Sequence, residues 1–364
     1  MRVPFLDLAA VDDATRRDLL AAAERVVSRG WFILGKEVEE FERLFAEYCG
    51  APSAVGVGNG LDALSLALTA ASVGPGDEVI VPSNTFIATW LAVTHVGATI
   101  VPVEPCEETY NLDPARVEMA ITPATRALIA VHLYGQPADL DPLRSLAERH
   151  GLALIEDAAQ AHGARYKGRR IGSDPGSVAA WSFYPGKNLG ALGDGGAVTC
   201  SKEHAQNISM LRNYGSHRKY CHEAIGVNSR LDEIQAAFLI VKLTRLDRDN
   251  ARRRDVAAYY NSELPHTDLL TPMVPTWAEP VWHLYVIRHP ERDRLAAHLK
   301  AHGVETGVHY PVPPHLQPAY RHLGWQSGAF PLSETLHQQV LSLPISPFMS
   351  EADVDHVVKT IRKF

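Results

Sequence analysis

Cysteine is scarce in this chain. Four are spread over 364 residues, at 49, 106, 200 and 221, with no C-x-x-C pair among them. That spacing argues against a disulfide framework or a structural zinc site and suits a reducing compartment. Long apolar runs are missing too: none reaches the roughly 18 residues that span a bilayer. The start, "MRVPFLDLAAVDDATRRD", lacks the unbroken apolar centre of a signal peptide. The expected location is therefore cytoplasmic, with no membrane partner. Positive charge is in deficit, the formal net charge being −7, which gives no electrostatic ground for a nucleic-acid partner. The short basic run Arg252-Arg253-Arg254 is flanked by acids and reads as a solvated helix face. The 17 histidines are scattered, without an H-E-x-x-H or comparable cluster, so no metal site is expected.

What the chain does have is apolar content, 46% of residues, enough for one large or two modest cores. From about residue 50 to 200, strand-like and helix-like segments alternate. "SAVGVGN", "GDEVIVPS", "TIVPVEP", "TRALIAVHLYG" and "LALIEDAA" read as strands, with amphipathic helical stretches between them. Continuous apolar strands separated by such helices predict an α/β fold with a mostly parallel sheet covered on both faces. Ligands then belong at the strand C-termini, where Gly58-Asn59-Gly60, Ser83-Asn84-Thr85 and Asp157 fall. Ser229 to Leu264 keeps a helical pattern for most of its length and reads as a long connecting element. "WHLYVIRHP", "ERDRLAAHLKAHG" and "VETGVHYP" read as strand, helix, strand. The expected division is a large domain over 13–244 and a smaller α+β domain over 245–364, with residues 1–12 packing on the latter.

Four segments at the expected sheet edge carry chemistry. In "VGNGLDAL", backbone N–H groups at a helix start suit a phosphate, although the same residues suit an ordinary tight turn. "ALIEDAAQAHGA" ends an apolar strand in Glu156-Asp157, with Gln160 and His162 nearby. A carboxylate there pairs with a protonated ring nitrogen of a cofactor, or simply caps a helix. In "WSFYPGKNLG", Lys187 follows a Pro-Gly turn beneath Tyr184, and Ser182 offers a hydroxyl. Desolvation makes such an amine nucleophilic, while a lysine in a glycine-rich loop taken alone is more often solvated. "GVNSRLDEIQAA" opens a helix with Asn228, Ser229 and Arg230, again suited to an anion.

Taken together, "NTFIAT", "EDAAQAHGA", "SFYPGKNLGALGDGGA", "RNYGS" and "GVNSRLDEIQAA" resemble, in this order and along essentially the whole chain, the DegT/DnrJ/EryC1/StrS nucleotide-sugar aminotransferases. These are fold-type-I enzymes dependent on pyridoxal 5'-phosphate (PLP). The resemblance implies that Lys187 forms the internal aldimine and that Asp157 pairs with the pyridinium nitrogen. It implies Gln160 on the phenolic oxygen, Phe86 on the ring face, and Gly60, Leu61 and Ser182 on the phosphate. Asn228 would reach the phosphate from the partner subunit, so the active site would be complete only in a homodimer.

By the same resemblance, L-glutamate is the amino donor and a keto sugar the acceptor, with Lys187 moving the proton between donor carbon and cofactor. Relatives acting at the sugar C4 commonly have a histidine before Pro-x-Lys; here Tyr184 stands there, and Leu61 replaces a frequent threonine. That pattern resembles the enzymes that aminate dTDP-linked 3-oxo-6-deoxyhexoses. Tyr184, Tyr214, Arg230, His309 and Tyr310 are the candidate sugar, diphosphate or donor contacts, each with a plain alternative as a packing aromatic or polar-network residue. Rival readings are a 4-keto sugar aminotransferase, a PLP sugar dehydratase (which in this family replaces the lysine with histidine) and a catalytically silent regulatory protein.

Overall fold

The computed structural model describes residues 1–174, 176–264 and 269–364. Two helices lead in, α1 (Asp13–Arg29) and α2 (Lys36–Cys49). The alternating region follows: β1 (Ser53–Val57), α3 (Gly60–Ala70), β2 (Glu78–Pro82), α4 (Ile87–His95), β3 (Thr99–Val103), α5 (Pro114–Ala120), β4 (Thr125–Val131), α6 (Leu140–His150) and β5 (Ala153–Asp157). A small hairpin, β6 (Arg165–Tyr166) and β7 (Arg169–Arg170), precedes β8 (Val178–Ser182) and β9 (Gly196–Cys200), then α7 (Lys202–Leu211).

Seven of these strands form one sheet in the order β1-β9-β8-β5-β4-β2-β3. Only β9 runs antiparallel to its neighbours. The mostly parallel α/β fold expected from the alternation is the fold observed. Strand periodicity divides the core. Val79, Val81, Ala127 and Ile129 face α3, α4 and α7. Ile80, Leu128 and Trp181 face α2, α6 and the helix α8 (Glu233–Leu243), where Phe41, Phe45 and Phe183 pack edge to face. Six strands point the same way, so the ends of β1, β2, β4, β5 and β8 open onto one edge of the sheet.

Beyond α8 come α9 (Leu246–Glu263), β10 (Ala278–Glu279), β11 (Tyr285–Arg288), α10 (Arg292–Ala301), α11 (Pro331–Gln339), β12 (Val340–Leu343) and α12 (Glu351–Ile361). β11 and β12 pair antiparallel, and β10 joins the hairpin β6–β7. A further apolar cluster gathers Val256, Tyr260, Tyr285, Leu299, Leu343 and Val357, and includes Val3. The N-terminal strand segment is tied there by the bonds from Val3 N to Gly303 O and from Glu305 N to Val3 O, 2.8 and 3.0 Å.

Three expectations are corrected. The helical pattern from Ser229 to Leu264 is two helices, because an i→i−3 bond from Arg245 N to Lys242 O interrupts the ladder. Arg245 there pairs with Asp12 and Asp18. "VETGVHYP" is not a strand: among the described residues it makes only single bridges, Val304 to Val3 and Gly307 to Ser342. The His309 carbonyl is instead taken by the Tyr134 hydroxyl at 2.6 Å. The run Arg252-Arg253-Arg254 is not wholly solvated, since Arg253 is 6% exposed on the inner face of α9, in line with Asn250, Val256, Ala257 and Tyr260.

Candidate active site

A cavity of about 500 Å³ opens at the C-terminal edge of the sheet. Each wall follows from a local feature of the chain. Asn59 caps α3: its side chain accepts from Asp62 N at 2.9 Å and its carbonyl from Ala63 N at 3.1 Å. The N–H groups of Gly60 and Leu61, which have no intrahelical acceptor, are left at the cavity. Position 60 has to be glycine. A Cβ there would sit 2.6 Å from Ser182 Cβ, so only glycine lets the helix start against the end of β8. That approach sets the Ser182 hydroxyl beside two free amides and the positive end of a helix, a cradle suited to a phosphate.

Asp157 ends β5 and is 7% exposed. Its Oδ2 accepts from Thr89 Oγ1 at 2.9 Å and its Oδ1 from Ala159 N at 3.2 Å. No helix begins there, so the capping role does not apply. Burial raises the carboxyl pKa, while Thr89, Ala159 and Lys187 pull it down. An ionised carboxylate has more acceptor sites than these two donors fill, and it lines the cavity. A protonated ring nitrogen fits that position.

Lys187 is held by a turn in which its N–H bonds Tyr184 O at 2.8 Å. Gly190 lets the loop fold back, because a Cβ there would lie 2.3 Å from Pro185 O. Burial lowers the amine to about 8, against a smaller upward pull from Asp157. At neutral pH an appreciable fraction is already the free base, as a nucleophilic or proton-carrying amine requires.

Gln160 is fixed from both ends. Its Oε1 accepts from Tyr134 N at 2.5 Å, and its Nε2 donates to the Tyr310 hydroxyl at 3.1 Å. Phe86 and Tyr310 lie with ring centroids 5.1 Å apart. His309 stacks on Phe5 at 5.5 Å, and its Nδ1 meets Ser342 Oγ at 2.8 Å. Burial holds His309 at about 4, with Lys187 adding to the effect, so its ring is neutral. Leu61, Leu64, Ile87 and Leu91 supply an apolar side.

Of the residues singled out in the sequence, Gly60, Leu61, Phe86, Asp157, Gln160, Ser182, Tyr184, Lys187, His309 and Tyr310 line this one cavity. Asn228, Tyr214 and Arg230 do not. They form a separate group: Asn213 bridges Asn228, Arg230 Nη1 donates to Asn213 Oδ1 at 3.1 Å, and the Arg230 guanidinium lies 5.5 Å from the Tyr214 ring centroid. Ser229 ties this group to the phosphate-type turn, accepting from Gly58 N at 2.9 Å and donating to Asp62 Oδ2 at 2.6 Å.

Residues missed at the sequence level are Thr89, Asp194, Arg253 and His283, which touch Asp157 or line the cavity. Thr89 stands one helical turn after Thr85, with their hydroxyls 3.0 Å apart, a spacing visible in "TFIAT". Arg253 shares its helical face with apolar residues, a signal the basic run obscured.

Fold and cavity together define a PLP-dependent aminotransferase: a reactive lysine, a buried carboxylate and a phosphate cradle at the edge of a mostly parallel sheet. The DegT/DnrJ/EryC1/StrS aminotransferase family model matches residues 13–362, and this chain belongs to that family. The chain is 55% identical over 367 residues to a dTDP-3-amino-3,4,6-trideoxy-alpha-D-glucose transaminase of Streptomyces venezuelae, covering 100% of this chain and 96% of the relative. It is 51% identical over 363 residues to a dTDP-3-amino-3,6-dideoxy-alpha-D-galactopyranose transaminase of Aneurinibacillus thermoaerophilus, covering 100% and 99%. Identity is 56% over 364 residues, covering 100% and 99%, with a protein of Saccharopolyspora erythraea described as the erythromycin biosynthesis sensory transduction protein EryC1. Among solved structures, S. venezuelae DesV in complex with a ketimine intermediate superposes with a TM-score of 0.98 at 55% identity, over 100% of this chain and 98% of that one.

Proposed function

We propose that this enzyme transfers an amino group from L-glutamate to the ketone of a dTDP-linked 3-oxo-6-deoxyhexose, giving the dTDP-3-amino-3,6-dideoxyhexose. The observation that carries this reading is Lys187, an amine lowered to about 8 in the same cavity as Asp157 and the Gly60–Ser182 cradle. PLP, when bound, supplies the electron sink that stabilises a carbanion. The chain supplies the rest. Gly60 N–H, Leu61 N–H and Ser182 hold the phosphate, Asp157 holds positive charge at the ring nitrogen, and Gln160 and Phe86 fix the ring's orientation. The Lys187 Nζ takes a proton from the donor α-carbon and returns one on the other side of the transfer. Tyr184, His309 and Tyr310 border the space for the sugar, and the apolar side formed by Leu61, Ile87 and Leu91 favours a deoxygenated carbon over a hydroxyl.

In this reading the working form is a homodimer in the cytoplasm, in which Asn228, Tyr214 and Arg230 complete the site of the other copy. Support comes from Asn228 and Tyr214 being exposed and Arg230 half-buried, all outside the chain's own cavity, and from Ile225 and Val227 in the same segment, which are exposed apolar side chains. The division into 13–244 and 245–364 is part of the same proposal, supported by the separate apolar cluster around Tyr260 and Tyr285. No helix among the described residues is long and apolar enough to cross a membrane.

The test is a panel of 3-keto and 4-keto dTDP-sugars, with L-glutamate, against the purified PLP form. Bleaching of the cofactor absorbance by glutamate and amination of the 3-keto sugars is the expected outcome. Turnover of 4-keto sugars alone overturns the regiochemistry. Absence of bleaching by any amino acid favours a regulatory role.

A further inference from the structure

Arg253 is a buried cation with no carboxylate in ion-pair distance among the described residues. It is 6% exposed on α9, yet among the described residues it takes part in no ion pair; Nη1 alone is engaged, donating to the carbonyls of Trp282 and Ile345 at 3.2 and 3.0 Å. Asp249, one turn back, is the anion that acts on it, and burial still lowers its pKa to about 10. The rest of the guanidinium faces the cavity that Lys187 and Asp157 share. A charge held this way is costly unless a ligand completes it.

A hydrogen-bonded ladder sets Arg253 beside the reactive amine. Asn188, next to Lys187, donates to Asn250 Oδ1 at 2.8 Å and to Val281 O at 2.9 Å. Asn250 lies one turn before Arg253 on α9, and Trp282, whose carbonyl Arg253 holds, follows Val281. His283 closes the ladder with Nδ1 3.3 Å from Asn188 Oδ1. Its pKa is driven well below normal by burial and then by Lys187 and Arg253, so both cations flank a neutral ring. The remaining charged groups facing the cavity are Asp157, engaged by Thr89, and Asp194 at its exposed rim.

We propose that Arg253 is the clamp for the α-carboxylate of the amino donor, binding it through the guanidinium nitrogens that the main chain leaves free. This rests on the transaminase reading above. A carboxylate suits the position because a guanidinium matches it with two parallel bonds. The cofactor phosphate already has the Gly60–Ser182 cradle, and Arg253, 6% exposed, offers little room to a bulky, strongly hydrated nucleotide diphosphate. The same position binds the 2-oxo acid product and must release it before the sugar enters.

The experiment compares wild-type holoenzyme with Arg253→Met and Arg253→Lys. Calorimetry reads the binding of glutarate, a dicarboxylate that cannot react. Stopped-flow absorbance reads the first half-reaction with L-glutamate and with its α-amide, and the second half-reaction with keto sugar. We expect wild type to prefer glutamate over the α-amide by roughly 100-fold, the scale of a bidentate charge-assisted contact. Arg253→Met reduces that preference to within about threefold and weakens glutarate at least tenfold, with the sugar half-reaction losing much less than the glutamate half-reaction. Arg253→Lys, which keeps the buried charge and the packing, falls between. A preference retained in both variants overturns the assignment. So does an equal loss in the sugar half-reaction, which would place the nucleotide diphosphate on Arg253. If wild type itself is bleached by no amino acid, the transaminase reading fails and this inference with it; if wild type reacts and the variants discriminate as it does, only the clamp fails.

Discussion

Thr89 donates a hydrogen bond to Asp157, with Oγ1 2.9 Å from Oδ2 in a buried setting. Together with Ala159 N, it orients the carboxylate and offsets part of the upward shift that burial gives its pKa. Hydrogen bonds to a charged acceptor are worth about 1.5–3 kcal/mol. Thr89→Val is therefore expected to weaken PLP by at least roughly tenfold, and Thr89→Ser to restore most of it. Spectrophotometric titration of the apoprotein with PLP checks both, and unchanged affinity in Thr89→Val would remove Thr89 from the site.

The Gly60–Ser182 approach makes a sharper steric prediction. A Cβ at 60 falls 2.6 Å from Ser182 Cβ, with the Ser182 Cα 3.2 Å away, so neither rotamer change nor a flexible side-chain end relieves it. Forced overpacking costs about 1–3 kcal/mol. Gly60→Ala should lower the melting temperature by several degrees and weaken PLP more than ten-fold by displacing the cradle. Pyridoxal, which lacks the phosphate, should lose far less affinity than PLP. Equal losses for the two would mean the cradle does not hold the phosphate.

Much of this was legible in the chain because parallel strands buried on both faces leave continuous apolar runs, and β2, β4 and β5 do so plainly. Asp157 was legible because it ends an apolar strand, and Lys187 because a Pro-Gly turn and a glycine-rich run punctuate the loop after β8. Other features were not. Arg253 was hidden by its neighbours Arg252 and Arg254, since composition reads a basic run as surface while helical spacing puts one residue in three or four inside. His283 and Asn188 meet across 95 positions, a contact that only tertiary folding creates. "VETGVHYP" has strand propensity, but tertiary context leaves it single bridges at Val304 and Gly307, and the Tyr134 hydroxyl takes the His309 carbonyl. Tyr214, Arg230 and Asn228 were visible as a motif, yet a single chain gives them no ligand to face.

Lys187 has a pH signature with a definite sign. Burial disfavours the ammonium and brings it to about 8, whereas the unfolded chain titrates near 10.4. Between those values the unfolded state binds more protons, so the stability of apoprotein relative to Lys187→Met should rise with pH across that window. Reductive labelling of apoprotein with pyridoxal and borohydride should likewise increase through a midpoint near pH 8 and vanish in the variant. Because the Asp157 charge raises the amine, Asp157→Asn should move the midpoint lower still. A midpoint at 10 or above would mean that the amine is solvated.

The group of Tyr214, Asn228 and Arg230, the first two exposed and the last half-buried, leads to a test of subunit sharing. Ser229 pins this segment to Asp62 at 2.6 Å, so Asn228 stands close to the phosphate-type turn but outside the cavity of its own chain. In a two-fold dimer with shared sites, Lys187→Ala and Asn228→Ala damage opposite halves of each site. A mixed dimer carrying one variant per chain then has one site with both defects and one with neither. Each variant alone should be impaired, and refolding them together in equal amounts should restore about a quarter of wild-type activity, half the dimers being mixed and each holding one intact site. Activity of the mixture equal to the average of the two separate variants would place Asn228 in the site of its own chain. Size-exclusion chromatography with light scattering on the same samples checks that both variants remain dimers, so that the recovered activity reports the exchange of subunits and not their assembly.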